Sequence, residues 1–303
     1  MSVVFHDDPF TPFDRQPLEL KDALGENLGH RRCGAIPAAY VPVPADALRL
    51  RVGARQLNES QWVSTIDEDW PRFQEMKRAL IAERRDEVVA STPGDEVACE
   101  EVAAGVARSV GLDLVNGRGI DALVDVALQI ADDLCILLPD ENGVMRLRAA
   151  VLCSPNRWRL TEKLGGTMGS IHMPVARYDS DLDSPVNAVL ARLSVGRALW
   201  RTNWGITNHP SFFQPDIPPP TPDINPADMW MRVEWQTLRK LPISGGVLFT
   251  IRTYVEKFSD FVLRDYEVVH GVSDLVDKIH DDVATYKSIA IYRDKIATYL
   301  DLR

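Results

Sequence analysis

Among the side chains that could ligate a metal, His172 has the most telling setting. It follows Gly165, Gly166 and Gly169 and precedes Met173-Pro174-Val175, so its backbone sits at a constrained exit. A neutral imidazole in such a place can ligate a metal. The same ring can equally be a hydrogen-bonded structural residue, and spacing leaves both readings open. Further polar groups recur in three strand-like runs: Arg201 and Asn203 in ALWRTNWGIT, Arg232, Glu234 and Gln236 in WMRVEWQTL, and Thr250, Arg252 and Tyr254 in GVLFTIRTYV. Alternation puts Arg232, Glu234 and Gln236 on one strand face and Val233, Trp235 and Thr237 on the other. That polar face either meets water or joins Arg201, Asn203 and Arg252 in a buried cluster, where every charge must be paired. His209, beside a Pro-rich segment, is a lesser candidate for a lid residue or second ligand. His6, His30, His270 and His280 fall in the N-terminal arm or on helix surfaces. No G-x-S-x-G, H-E-x-x-H or phosphate-cradling glycine loop is present, so electrons for redox chemistry must come from outside the chain.

The elements that must position these residues follow from local pattern. Ile130 to Leu138 and Val144 to Cys153 are apolar runs joined by Asp140-Glu141-Asn142-Gly143, which predicts a β-hairpin. A helix-compatible stretch covers Arg157 to Leu164, and Asp183-Ser184-Pro185 can open a helix through Leu193. The three strand candidates follow, the last two joined through Pro242-Ile243-Ser244-Gly245. Between the first and second, Phe212 to Asp228 is too rich in proline for regular structure and reads as a lid, binding loop or disordered segment. Upstream, a helix begins at Asp67-Glu68-Asp69-Trp70-Pro71, with Phe73, Met76, Leu80 and Ile81 inward and Lys77, Arg78, Arg84 and Arg85 on the wet face. Helices are also predicted over Glu96 to Val110, ending at Gly111, and from Ile120 to Ala131.

The resulting fold class is α+β: a PAS-like antiparallel sheet with helices packed on it, an extended Pro-rich N-terminal arm and a helical C-terminal tail. The divisions are 1–60 for the arm, 61–128 for a helical scaffold, 129–256 for the sheet core and 257–303 for the tail, which packs back or mediates subunit contacts.

At 303 residues the chain can bury a large core, and its 45% apolar and 26% charged composition is that of a soluble globular protein. A net charge of -10 argues against nucleic-acid binding, and no apolar run approaches bilayer-spanning length. Without a basic, then apolar, leader at the start, the expected location is cytoplasmic. Cys33, Cys99, Cys135 and Cys153 lack metal-ligand spacing and are expected as reduced, mostly buried thiols.

The runs DLCILLP, CSPNRW, EKLGGTMGSIHMPV, RTNW and RVEWQTLRKLPISGGVLFTIRTY resemble the haem-dependent oxidative N-demethylase alpha-subunit family over about residues 37–265. The resemblance implies a PAS-like domain holding haem b. It also implies removal of a methyl group from a small amine as formaldehyde, using dioxygen and electrons from a separate flavin/iron–sulfur reductase subunit. It makes His172 the axial iron ligand, steered by Pro174 and the glycines, with an acceptor on its second ring nitrogen. It assigns Arg201, Asn203, Trp204, Arg232, Arg239 and Arg252 to cofactor binding, the arginines toward haem propionates. Glu234 and Tyr254 become candidate catalytic groups orienting amine or dioxygen. Ala176 stands where the family pattern has a second proline, and the Pro-rich loop is specific to this chain. Two other classes remain distinct expectations: a haem-based gas sensor or carrier without turnover, and a haem-free scaffold in which His172 is structural.

Overall fold

The computed structural model describes residues 53–57, 62–63, 70–112, 116–263 and 266–301. The expected Pro-rich arm, apart from residues 53–57, lies outside them, as do Cys33, His6, His30 and the helix start at Asp67-Glu68-Asp69.

Seven strands form one antiparallel sheet: β1 (Arg55–Leu57), β2 (Val89–Ser91), β3 (Asp133–Pro139), β4 (Met145–Val151), β5 (Ala198–Thr207), β6 (Trp230–Lys240) and β7 (Val247–Lys257). Their order is β1-β5-β6-β7-β3-β4-β2. The inner run β5-β6-β7-β3-β4 is the PAS-like arrangement, and the α+β expectation holds. The β3–β4 turn forms because Asp140 accepts from the backbone of Asn142 and Val144 while Gly143 takes a φ of 78°.

Helices cover the sheet on both faces. They are α1 (Trp70–Val88), α2 (Glu96–Val110), α3 (Ile120–Ala127), α4 (Leu160–Lys163), α5 (Met168–His172), α6 (Asp183–Arg192), α7 (Phe258–Phe261), α8 (Tyr266–Lys278), α9 (Asp281–Tyr286) and α10 (Arg293–Asp301). Because side chains alternate along a strand, each face has its own partners. On one, Leu134, Ile136, Val151 and Leu248 pack with Phe73, Leu80, Val102 and Leu123 of α1 to α3. Farther along that face, Val233, Trp235 and Tyr254 meet Phe258, Val272, Leu275 and Ile296 of the C-terminal tail, which packs back on the sheet. On the other face, Cys135, Leu137, Leu147 and Ile251 lie under Leu160, Met168 and Leu190 of α4, α5 and α6.

Gly111 ends α2 as predicted, with a φ of 73° and its N–H donated to the Ala107 carbonyl. Cys99, Cys135 and Cys153 are buried and in no disulfide, and burial pushes the Cys99 thiol up to about 12. The Pro-rich segment is anchored at its start by buried Phe212, Phe213 and Gln214 and closes in a 3-10 turn over Pro226–Asp228.

Lys77 and Arg84 correct one expectation: Arg84 is buried over the Phe213 ring, and Lys77 departs further. It is fully buried, not on the wet face, and its Nζ donates to the carbonyls of Ala127, Ile130 and Asp132 and lies 3.6 Å from Asp133 Oδ1. It falls on the stripe of Phe73, Met76 and Leu80, where the last carbonyl of α3, two carbonyls just beyond it and the carboxylate at the start of β3 give its charge a destination.

Candidate functional site

The segment leading to His172 is stitched to the edge of β4. Gly165 donates its N–H to the Leu147 carbonyl, Leu147 donates back to the Gly166 carbonyl, and Arg146 donates to the Gly165 carbonyl. Thr167 then caps α5, accepting from Ser170 N–H, so His172 stands at the end of a one-turn helix. Sequence reasoning has the glycines break the helix ahead of a constrained exit at His172; the cap at Thr167 makes that exit a helical turn despite Gly169.

Gly166 permits that path. A Cβ there would lie 2.8 Å from Ser170 Oγ, 2.9 Å from the Lys163 carbonyl and 3.2 Å from Ile171 Cγ1. Ser170 can rotate away but the Lys163 backbone cannot. Gly166→Ala is therefore expected to cost about 1–3 kcal/mol of stability and to displace α5, read by urea denaturation and by weaker haem uptake. An unchanged midpoint would mean that the loop relaxes freely.

His172 Nδ1 lies 2.9 Å from the Met168 carbonyl. A carbonyl only accepts, so Nδ1 carries the proton and Nε2 keeps its lone pair, with no partner among the described residues. The acceptor that the sequence could not name is thus a main-chain oxygen one turn back. The ring stacks on Tyr178 with centroids 4.7 Å apart. Burial holds the imidazole below its ordinary pKa, and Arg201 adds repulsion against the Met168 bond, so the neutral, ligating form is favoured.

On the same sheet face, register aligns Arg201 with Gln236, Asn203 with Glu234 and Gly205 with Arg232. Glu234 Oε2 accepts from Gln236 Nε2 at 2.9 Å and from Asn203 Nδ2 at 3.3 Å, while Oε1 lies 3.7 Å from Arg232 Nε. Arg232 itself is a clamp: its guanidinium donates to the carbonyls of Ser154, Pro155, Ser211 and Phe212. A Cβ built at Gly205 would meet no heavy atom within 4 Å, so the face beside Asn203 opens into space. His172, Arg201, Asn203 and Lys287 remain partly open to solvent, although burial dominates the pKa shifts of His172, Arg201, Tyr286 and Lys287. These partly exposed side chains, with the open space beside Gly205, mark a candidate recess.

The tail supplies part of that recess. Lys287 Nζ donates to the Trp204 carbonyl at 2.5 Å and to Asn203 Oδ1 at 3.3 Å. Sequence reasoning missed Lys287 and Tyr286, because nothing in a tail of helical periodicity shows that it reaches the stretch of β5 beyond β1, and it passed over Tyr178 and Arg157, which lie outside that tail. Burial pushes the Lys287 ammonium down to about 7; Glu234 opposes this, while Arg157 and Arg201 add to it. An unfolded lysine keeps its proton to about pH 10.4. Between those values the unfolded chain binds more protons, so this residue's contribution makes stability rise with pH. In urea midpoints compared from about pH 6 to about pH 10, Lys287→Met should be more stable relative to wild type at the acid end. A difference constant with pH would show an ordinary lysine.

The other predicted site residues lie across the sheet. Trp204, Arg239, Arg252 and Tyr254 alternate onto the opposite face from Arg201 and Glu234. Arg252 sits 4.1 Å from the Phe73 ring and 4.9 Å from Tyr254, and Arg239 sits 4.7 Å from Trp62. The structure therefore brings together His172, Arg201, Asn203, Glu234 and Gln236, and separates them from Arg252 and Tyr254. His209 accepts from Ser211 N–H and shapes the start of the Pro-rich loop.

A porphyrin needs apolar walls, an imidazole with a free lone pair and cations for its propionates. The recess offers partly buried Leu199, Leu238, Phe249 and Ile171, the Nε2 of His172, and Arg201, whose buried Nε has no hydrogen-bond partner among the described residues. Those residues fit haem. Among the described residues no cluster of three or more His, Cys, Asp or Glu could hold a metal ion. Among them also, no helix is long and apolar enough to cross a membrane. Residues 108–297, more than half of the chain, match the family described as haem-dependent oxidative N-demethylase, alpha subunit-like, and the chain belongs to that family.

Proposed function

We propose that this chain is the haem-binding subunit of an oxidative N-demethylase acting on a small alkylamine in the cytoplasm. The observation that carries the reading is the His172 ring, fixed by the Met168 carbonyl so that Nε2 is free beside Arg201. Haem b, when bound, supplies the dioxygen and one-electron chemistry that these side chains cannot perform. The balance is one N-methyl group, one dioxygen, two electrons and two protons giving the demethylated amine, formaldehyde and water. The electrons come from a separate flavin/iron–sulfur reductase subunit; an alpha-subunit family implies a partner.

Within that reading each residue has its own part. His172 holds the iron, and Arg201 neutralises a propionate through its unpartnered nitrogen. Glu234, held by Asn203 and Gln236, offers an acceptor to the amine N–H. The apolar cluster of Leu199, Leu238 and Phe249 excludes water that would divert reactive oxygen species. Trp204, Arg239, Arg252 and Tyr254 act by holding the sheet and its helices rather than by touching the amine.

The test is an ultraviolet–visible titration with haem, then an assay for formaldehyde with dimethylamine, dioxygen and a reductase. A Soret band, and formaldehyde only with all three present, is the expected result. Haem uptake without amine consumption would favour a sensor or carrier, and a preparation colourless after haem addition would sink the reading.

A further inference from the structure

A cavity of about 240 Å³ lies outside the recess, between the end of β5, the Pro-rich loop and the turn after α9. Its lining is largely apolar, with Ile206 at the floor and Ile217, Pro218, Pro220 and Ile291 around it. Ile217 and Ile291 are 60% and 58% exposed, so its rim is apolar and open to solvent. Arg157, the one charged side chain among the described residues of the lining, stands between this cavity and the recess residues Lys287 and Tyr286. Its Nη1 donates to the Lys287 carbonyl at 2.6 Å, its N–H donates to the Gln214 carbonyl, and its charge acts on both Lys287 and Tyr286.

That partition is built from unusual backbone. Arg157 has a φ of 63° and Ser288, next to Lys287, a φ of 56°. Non-glycine residues in this region carry strain, which persists where surrounding structure imposes it and concentrates at functional sites. The Pro-rich loop is held against the turn by a hydrogen bond from Thr221 N–H to the Tyr292 hydroxyl at 2.9 Å. The volume is below the roughly 300 Å³ typical of pockets for larger ligands, so a molecule of a few heavy atoms suits it. With a cation and no carboxylate among the described residues of its lining, the cavity disfavours alkylammonium and admits uncharged molecules.

We infer that this cavity is the antechamber through which small uncharged molecules, the free-base amine and diatomic gases, pass between solvent and the recess, with Arg157 as its inner wall. The inference rests on the recess being the haem site, as proposed above. It explains what the Pro-rich loop does, since Ile217, Pro218 and Pro220 set the size of what passes.

The test fills the rim without touching the recess. Ile217→Trp and Ile291→Trp alter exposed positions, so folding and the Soret band should stay as in wild type. Carbon monoxide photolysed from the reduced haem protein should then rebind from solvent at least about fivefold more slowly, with kcat/KM for dimethylamine falling in parallel. Ile291→Ala should speed rebinding. Rates within twofold of wild type in both tryptophan variants would overturn the inference. A second arm needs no haem: xenon-pressurised crystals of the chain should show xenon among Ile206, Ile217 and Ile291, lost in Ile291→Trp. If no Soret band forms, the haem reading fails while the xenon arm still decides the cavity; no xenon there in wild type overturns the inference.

Discussion

His172→Ala is expected to lower haem affinity about 100-fold or more, close to 2.7 kcal/mol of binding, with loss of the wild-type Soret position. Among the described residues, α5 places no other imidazole near Arg201, and the lone pair freed by the Met168 bond has no substitute in alanine. The ring is half-buried at the end of a one-turn helix, so its removal should cost little folding stability. Free imidazole added to the variant should restore part of the spectrum, which a merely unfolded protein would not allow. Met168 cannot be tested through its side chain, because the interaction uses its carbonyl. Replacing His172 by glutamine keeps a donor to that carbonyl but removes the ligating nitrogen, and should behave like alanine. Wild-type haem affinity in both variants would remove the basis for the proposed cofactor site.

The hairpin, the termination of α2 at Gly111 and the three long strands were legible because each has a short-range cause: an Asp–Gly turn, a left-handed cap, a period of two. The alternation also foretold that Arg232, Glu234 and Gln236 share a face. It could not pair strands. Arg252 joins Arg201 in the sequence-based cluster only if β7 is shifted by one residue, and the observed register pairs Arg252 with Trp235 instead. A one-residue change of register reverses every side chain, and nothing local to β7 fixes it. Lys287 was beyond reach for another reason, since its partners Asn203 and Trp204 lie more than eighty residues away. Lys77 was within reach: its spacing set it on the apolar stripe, and only the habit of reading lysine as solvated hid it.

Lys77→Met should be among the most destabilising single changes in the chain, costing about 3–5 kcal/mol in urea unfolding. Asp133 is fully buried and would lose its nearby counter-charge, while the carbonyls of Ala127, Ile130 and Asp132 would lose a donor. Burial already pushes the Asp133 carboxyl up; the Lys77 charge and the N–H groups of Cys153 and Ser154 hold it back, so without Lys77 the carboxyl should take up a proton at neutral pH. Adding Asp133→Asn to Lys77→Met removes the carboxyl that must otherwise take up a proton to stay buried, and should recover part of the loss, giving a coupling energy of about 1–3 kcal/mol. A Lys77→Met midpoint within about 0.5 kcal/mol of wild type, or a double variant showing the plain sum of the singles, would rule out a paired charge. The damage should also reach the recess. Asp133 Oδ2 accepts the Ser154 N–H at 2.7 Å, and the Ser154 and Pro155 carbonyls are two of the four that hold Arg232 beside Glu234. A single lysine on a distant helix thus fixes the strand start from which Arg157 and Arg232 are hung, and haem uptake should fall in the single variant and return in part in the double.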